Sequence, residues 1–336
     1  MHFDALLMQL VIRKAWEYQG VTYPNPAVGA LVALSGEIIA IEAHQKAGTS
    51  HAEVLALLTA YENISGKKII FDKFDAEKAH AFLRELPQYF FAQCAIYVTL
   101  EPCSHRGQTP SCASLLEVLS LQKVIVALRD PIEGHGGGIE MLMASGVEVE
   151  VGVMEDEARE LIEPFLIWQK RAFVLFKLAQ TTNGRIGGGY LSSKESLEHV
   201  HEMREVCDRL LIGGGTVRYD RPTLDCRFSA GDAPDIVIYS RQDNFDRDIP
   251  LFGIEGRKVQ VSNNLNLLDR PSFVIVEGGE GMLRVLDERI DWYLTYQTPK
   301  LSTHNLSYSI DKTLHFLHTH RKGVDIMIWS KATPRR

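Results

Sequence analysis

Several features are scarce in this 336-residue chain, and each scarcity closes off a class of function. No run of about 18 apolar residues occurs, so no membrane span or membrane partner is expected. The stretch 1–20 holds only the short apolar run Leu10-Val11-Ile12 inside a helix-like pattern. Without a basic start, a longer apolar core or a cleavage site, it does not read as a secretory signal. Cysteine is sparse and odd in number: Cys94, Cys103, Cys112, Cys207 and Cys226. Free thiols or metal ligands in a reducing, cytoplasmic compartment fit that usage better than a disulfide framework. Basic charge is also short, with 36 Lys plus Arg against 43 Asp plus Glu and a net charge of −7. No basic, aromatic-rich tract appears, so a nucleic-acid partner is not expected. A few local cations would still hold a small phosphorylated substrate. There is no G-x-S-x-G elbow, so His135-Gly136-Gly137-Gly138 is not read as an esterase oxyanion loop. No G-x-G-x-x-G is followed by an acidic residue about 20 positions on, which disfavours a standard Rossmann dinucleotide site.

What is present is ordinary globular composition, 45% hydrophobic and 24% charged, at a length that suits about two domains. Apolar residues at Leu6, Leu7, Leu10, Val11 and Ala15 predict a helix over Ala5–Tyr18. Two apolar runs, Val28–Leu34 and Glu37–Ile41, flank Ser35-Gly36 as a hairpin. Helix is expected over Thr49–Thr59, Ala113–Leu119 and Gly138–Ser145, and strand over Ala95–Leu100, Val124–Leu128 and Val147–Val151. These make an α/β domain over 1–152. The polar stretch 61–93, with one amphipathic piece at Asp75–Leu86, reads as an insertion packed on the outside. Residues 153–170 read as a connecting helix, broken or kinked near Pro164. A second α/β domain, 171–336, follows. Its expected strands are Phe173–Leu178, Arg209–Ile212, Asp235–Tyr239, Lys258–Val261, Ser272–Val276, Asp291–Tyr296 and a closing Asp325–Trp329.

The strongest chemical signal is His51-Ala52-Glu53 followed by Pro102-Cys103 and Cys112. One histidine and two cysteines supply three ligands for a tetrahedral zinc, and a catalytic site leaves the fourth position to water. Glu53, two residues after His51 on the same helix, could carry a proton from that water to a leaving amine. Cys112 opens another helix, so both helix N-termini would face the metal and favour thiolate. Plainer readings exist. Ser50-His51-Ala52-Glu53 also fits a capping box, and the cysteines alone could be core thiols or a structural zinc pair. The combination matches the zinc-deaminase signature, in which the glutamate is not a ligand. The departure is that eight residues, not two, separate the cysteines.

The run Glu101-Pro102-Cys103-Ser104-His105-Arg106-Gly107-Gln108-Thr109-Pro110-Ser111-Cys112 closely resembles the loop of the bifunctional riboflavin-biosynthesis deaminase/reductase family. Pro24-Asn25-Pro26-Ala27-Val28-Gly29 resembles that family's N-P-x-V-G motif, and His44 and Gly48 before His51 fit its H-x-x-x-G-x-x-H-A-E pattern. The resemblance implies a cytidine-deaminase-like three-layer domain that removes the 2-amino group of 2,5-diamino-6-(5-phosphoribosylamino)pyrimidin-4(3H)-one. It makes His51, Cys103 and Cys112 the zinc ligands, Glu53 the catalytic proton shuttle, and Asn25, His44 and His105 substrate contacts. Read alone, those last three are a turn asparagine and two surface histidines. Ala30 replaces a cysteine often found after N-P-x-V-G, and the segment 130–138 keeps the family's Asp-Pro and closing glycines but alters the middle.

In the second half, Leu210-Leu211-Ile212 runs into Gly213-Gly214-Gly215-Thr216, and Phe273-Val274-Ile275-Val276 runs into Glu277-Gly278-Gly279-Glu280-Gly281 and an apolar helix, Met282–Leu286. Such turns let backbone amides approach a phosphate, though many are glycine-rich for steric reasons alone. Lys177-Leu178-Ala179, Asn183-Gly184-Arg185, Arg204, Asp208, Asp220-Arg221-Pro222-Thr223-Leu224 and Arg227 occur in the order seen in the family's dihydrofolate-reductase-like domain. The resemblance implies NADPH-dependent reduction of the ribosyl group to ribityl. NADPH would touch Ala179, Tyr190, Ser192, Thr216, Asp220 and Ser240, with its diphosphate at the amides of Gly279, Glu280, Gly281, Met282 and Leu283. Arg204, Leu224, Arg227 and Glu277 would touch the substrate, the two arginines as a fork for its phosphate, and Lys177 would assist proton movement. An ordinary ion pair is the plainer reading of either arginine. Between Arg185 and Tyr190 the chain has only Ile186-Gly187-Gly188-Gly189, where the family usually carries a longer loop ending before a tryptophan. A deaminase whose second domain is only a scaffold therefore stands as the alternative. The resemblance also implies a homo-oligomer of at least two copies.

Overall fold

Helix α1 (Phe3–Trp16) buries Leu7, Met8, Val11, Ile12, Ala15 and Trp16, the face its apolar period marks. The computed structural model describes residues 3–189, 191–229 and 231–333. Strands β1 (Gly29–Leu34) and β2 (Glu37–Ala43) pair antiparallel across Ser35 and Gly36. Both turn residues have positive φ, 52° and 85°, as a tight two-residue hairpin requires. Helix α2 (Ala52–Ser65), helix α3 (Ala76–Arg84), strand β3 (Cys94–Leu100), helix α4 (Cys112–Val118), strand β4 (Lys123–Leu128), helix α5 (Gly138–Ala144) and strand β5 (Glu148–Val151) follow.

The five strands lie in the order β2-β1-β3-β4-β5. Pairing is antiparallel on both sides of β1 and parallel from β3 to β5. Alternation divides the sheet's two faces. Ala30, Val32, Ile96, Val98, Val124 and Val126 join a core with residues of α2, α3, α4 and α5. On the other face, the Tyr97 hydroxyl donates to Asp4 of α1 at 2.6 Å. The result is a three-layer α/β sandwich.

The segment 61–93 is not an outside appendage. Its Ala79, Leu83 and Phe91 are fully buried in the same core as Cys112 and Leu115. Helix α2 also runs well into it. The amphipathic pattern located α3, but burial of one helix face in the main core was not readable from its polar flanks. Helix α6 (Glu155–Trp168) continues unbroken through Pro164. Its buried Ala158, Leu161 and Ile162 offset the hydrogen bond that proline removes.

The chain divides into two compact units, Met1–Leu166 and Ile167–Arg336. The second unit contains β6 (Ala172–Thr181), α7 (Lys194–Val206), β7 (Arg209–Gly213), α8 (Gly214–Asp220), β8 (Asp235–Tyr239), β9 (Val259–Ser262), β10 (Ser272–Glu277), α9 (Glu280–Leu286), β11 (Trp292–Thr298), β12 (Leu314–Lys322) and β13 (Asp325–Ala332). These strands form one sheet in the order β12-β13-β11-β6-β10-β7-β8-β9. It is parallel from β11 to β9, and an antiparallel hairpin, β12–β13, is added at one edge. Strand β12 was not expected: His315, His318, His320 and Arg321 mask its period. Strand β10 lies between β6 and β7, so the C-terminal ends of β6, β10 and β7 form the crevice where open α/β sheets bind ligands.

Candidate active sites

The three candidate metal ligands come from two helix starts and the loop between β3 and α4. His51 is the N-cap of α2 in extended conformation and makes no side-chain cap. The capping-box alternative is not formed, because the Ser50 hydroxyl donates to the Lys73 carbonyl instead, at 2.7 Å. Cys112 is the first residue of α4, after the N-cap Ser111. His51 Nδ1 lies 3.8 Å from Cys103 Sγ and 3.4 Å from Cys112 Sγ. Bonds of zinc length at tetrahedral angles separate nitrogen and sulfur donors by roughly 3.5–3.8 Å, so the three atoms fit that ion. Among the described residues, this trio is the cluster of histidine, cysteine and acidic groups with metal-ligand spacing. Among the described residues no fourth ligand joins the trio.

The surroundings prepare these ligands. His51 Nε2 lies 3.0 Å from Thr109 Oγ1. With a metal on Nδ1, Nε2 would keep its proton and donate to that hydroxyl, which would fix ring and tautomer. The Cys112 amide donates to Cys103 Sγ at 3.3 Å. A hydrogen bond from the Cys112 thiol, with help from His51, pulls the Cys103 thiol down to about 4, while the Cys112 thiol is pushed up. Binding zinc would release the remaining proton. Glu53 is 4% exposed, and burial pushes its carboxyl up despite the opposing charge of His51. A carboxyl raised in this way holds a proton more readily than a free glutamate, as a proton carrier requires.

Asn25 and His44 are brought together. Asn25 Nδ2 lies 3.1 Å from His44 Nε2, and His44 Nδ1 lies 3.2 Å from the Ser50 carbonyl. Nδ1–H therefore donates to Ser50 and Nε2 accepts from Asn25. Burial and the neighbouring His51 push His44 down to about 4, so it is neutral. His105 is exposed on the cysteine loop, its ring 5.8 Å from that of His135. Two residues without a role in the sequence reading also organise the site. Thr109 orients His51, as above. The Glu101 carboxylate accepts from the amides of Asp130, Gly137 and Ile139 at 3.0, 2.8 and 3.2 Å, tying down the altered 130–138 segment. Glycine is required there, since a Cβ on Gly138 would lie 1.9 Å from the Pro102 carbonyl oxygen. The glycine run and Glu101 were visible in the sequence; their pairing was not.

In the second unit the two glycine turns meet. A Cβ on Gly278 would lie 4.0 Å from the Gly213 amide nitrogen and 2.9 Å from Met282. One on Gly214 would lie 2.8 Å from Ser240. Gly213–Thr216, Ser240 and Gly279–Leu283 thus converge beyond adjacent parallel strands. Glu280 is engaged by Arg284 and by the Ser309 amide. Ala179 lies near the end of β6, Asp220 is exposed at the end of α8, and Ser192 is half-buried. Tyr190 lies outside the described residues. A Cβ on Gly187 would strike the His304 ring at 2.2 Å, so the short loop is packed beneath that side chain.

The charged residues pair with each other. Arg204 donates through Nε and Nη2 to one Glu277 oxygen at 2.8 and 2.6 Å, and through Nη1 to the Asp225 carbonyl. Lys177 Nζ reaches the other Glu277 oxygen at 3.4 Å. Burial favours the neutral acid, but Arg204 and Lys177 hold Glu277 down to about 2. Arg227 is exposed and pairs with Asp225 at 2.9 Å. Arg204 thus turns to Glu277 and Arg227 to Asp225. Leu224 is buried, and its carbonyl accepts from Arg257, a residue the sequence reading passed over.

Comparison with known proteins agrees with this division. Residues 1–128 match the family described as "Cytidine and deoxycytidylate deaminase zinc-binding region", and residues 172–301 match "RibD C-terminal domain". The chain is 37% identical over 233 residues to the riboflavin biosynthesis protein RibD of Aquifex aeolicus, a stretch covering 67% of this chain and 58% of that one. A match to RibD of Corynebacterium ammoniagenes is 27% identical and covers 89% and 87% of the two chains. The first three curated relatives are matched over 58%, 50% and 54% of their own length. Among solved structures, RibD of Acinetobacter baumannii aligns with a TM-score of 0.66 at 25% identity over 99% of both chains. The deaminase/reductase of Thermotoga maritima aligns equally well, with the same score, identity and coverage. A cytidine-deaminase-like unit with a zinc-ligand set, followed by a reductase-like RibD C-terminal unit, places this chain in the RibD family.

Proposed function

We propose that the protein catalyses two successive steps of riboflavin biosynthesis. The first is hydrolytic deamination of 2,5-diamino-6-(5-phosphoribosylamino)pyrimidin-4(3H)-one. The second is NADPH-dependent reduction of the ribosyl group to ribityl. The observation that carries the reading is the open three-ligand set with buried Glu53 at its side. When bound, zinc would acidify a water in its open position. Glu53 would take a proton and deliver it to the departing amine. His44, held neutral between Asn25 and Ser50, would present Asn25 to the pyrimidine. His105, on the exposed cysteine loop, would meet the phosphoribosyl tail.

For reduction, the converging glycine turns support placing the NADPH diphosphate at 279–283, with Thr216 and Ser240 alongside. Hydride transfer belongs to the cofactor; the protein positions and polarises. Lys177 would move a proton. Arg204, Arg227, Glu277 and Leu224 would hold the substrate, with Arg204 passing from Glu277 to the phosphate. Five free cysteines support a reducing, cytoplasmic setting, and no helix among the described residues is long and apolar enough to cross a membrane. Self-association into at least a dimer completes the proposal, and sedimentation tests it. The primary test is ammonia release from the diaminopyrimidine phosphate by zinc-loaded protein, with none after chelation. A second reading, deaminase with a scaffold second unit, draws on the Arg204–Glu277 pair and the packed Gly187 loop. Titration of the full chain with NADPH decides between them, since a scaffold binds none at millimolar cofactor.

A further inference from the structure

The segment that the sequence marked as an insertion touches both chain segments that carry the metal ligands. From the turn before helix α3, the Lys73 carbonyl accepts from the Ser50 hydroxyl at 2.7 Å, and the Phe74 carbonyl accepts from the Ser50 amide at 3.1 Å. Ser50 is fully buried and immediately precedes His51. From helix α3, Glu77 pairs with Arg106 of the loop between the two cysteines. About two turns later, Arg84 Nη2 donates to the Ser114 hydroxyl and carbonyl at 2.8 and 3.1 Å, in the first turn of α4 after Cys112. Between these anchors Ala79 and Leu83 are buried in the core that includes Cys112 and Ala113. His80 is 4% exposed, and its Nδ1 has no hydrogen-bond partner.

We propose that residues 73–84 are a brace of the metal centre, whose contacts at Ser50, Arg106 and Ser114 set the spacing between His51 and the cysteine pair. Ser50, Glu77 and Arg84 act as positioning residues. The inference rests on the zinc reading above, and goes beyond it by giving this segment a task. Physical reasoning favours several ties acting together. An exposed pair such as Glu77–Arg106 contributes little alone. Three contacts that flank the ligands on both sides hold donor atoms already at zinc-binding distance, and changes to such supporting partners typically alter metal affinity by about 10–100-fold.

The test uses the full chain loaded with zinc, and separately with cobalt as a spectroscopic stand-in. In the variant E77Q/R84Q, zinc should pass to a colorimetric chelator at least about 10-fold faster than in the parent. The cobalt d–d absorption should shift, while far-ultraviolet circular dichroism stays the same. Arg84→Lys, which keeps a donor for Ser114, should recover part of the difference. Ser50→Ala removes one buried hydroxyl and provides an independent arm if the double variant fails to fold; it too should speed release and shift the spectrum. Parental release rate and spectrum in the folded variants would overturn the brace. Both readouts follow the metal rather than ammonia release, so that result would leave the deaminase reading standing. A parent chain that takes up no zinc would instead defeat the zinc reading itself.

Discussion

The two units prepare their charged groups in opposite ways. In the first, the donor atoms of His51, Cys103 and Cys112 already stand at tetrahedral spacing, and Thr109 and the Cys112 amide aim them inward. In the second, Lys177, Glu277 and Arg204 satisfy one another, and the proposed substrate would have to exchange partners with them. A metal centre can be assembled in advance because its ligands share a common target. A site for an anionic substrate cannot leave its cations unpaired in a buried place without cost, so it stores them against a carboxylate. Substitution should therefore act on chemistry in the first unit and on both stability and binding in the second.

The largest effect expected is that of Glu53→Gln. Zinc should be retained, and ammonia release should fall by about 10²–10⁴-fold, because the amide keeps the shape but cannot carry a proton. Near-parental turnover by the folded variant would remove Glu53 from its role. Arg204→Ala should come next. It leaves buried Glu277 with Lys177 alone, so denaturant unfolding should show a loss of about 3 kcal/mol or more. It should also raise the substrate KM for reduction more than it weakens NADPH binding, and leave deamination unchanged. A variant as stable as the parent would contradict the storage account.

Acid should reveal the same pair. The Glu277 carboxyl sits at about 2 in the folded chain against 4.5 for the free group. A depressed carboxyl gives stability that is fully present above the unfolded value and is lost as pH falls through the folded one. Stability of the second unit should therefore decline from about pH 4.5 toward about pH 2, and Glu277→Gln should flatten that part of the profile. Unfolding followed by tryptophan fluorescence across this range checks it, and equal slopes in the two proteins would refute it. The smallest effect should come from Thr216→Val. Losing one hydroxyl contact at the glycine turns should weaken NADPH by about 0.5–1.5 kcal/mol, a change of several-fold in Kd.

Much of this was legible in the sequence where the chemistry is local. His51-Ala52-Glu53 and the cysteine loop stand out because ligand spacing is written along short segments, and Ser35-Gly36 announced its hairpin. What escaped notice depends on contacts between distant segments or on faces with mixed polarity. Helix α7 was not anticipated because its buried face includes His199, His201 and Arg204, which erase the apolar period. Thr109, Glu101 and Arg257 are single polar residues whose partners become known only once the loops are folded. The pairing of Arg204 with Glu277 belongs to the same class: their order in the chain suggested a shared site, but not that they face one another.

The most direct test of the two-step account is to incubate the zinc-loaded protein with the diaminopyrimidine phosphate, with and without NADPH, and to follow the products by mass. The account predicts replacement of one amino group by oxygen in both incubations. Only with NADPH should there be a further gain of a hydride and a proton on the sugar. Deamination without any reduction would contradict the assignment of the second unit, and an unchanged substrate in both incubations would contradict the account as a whole.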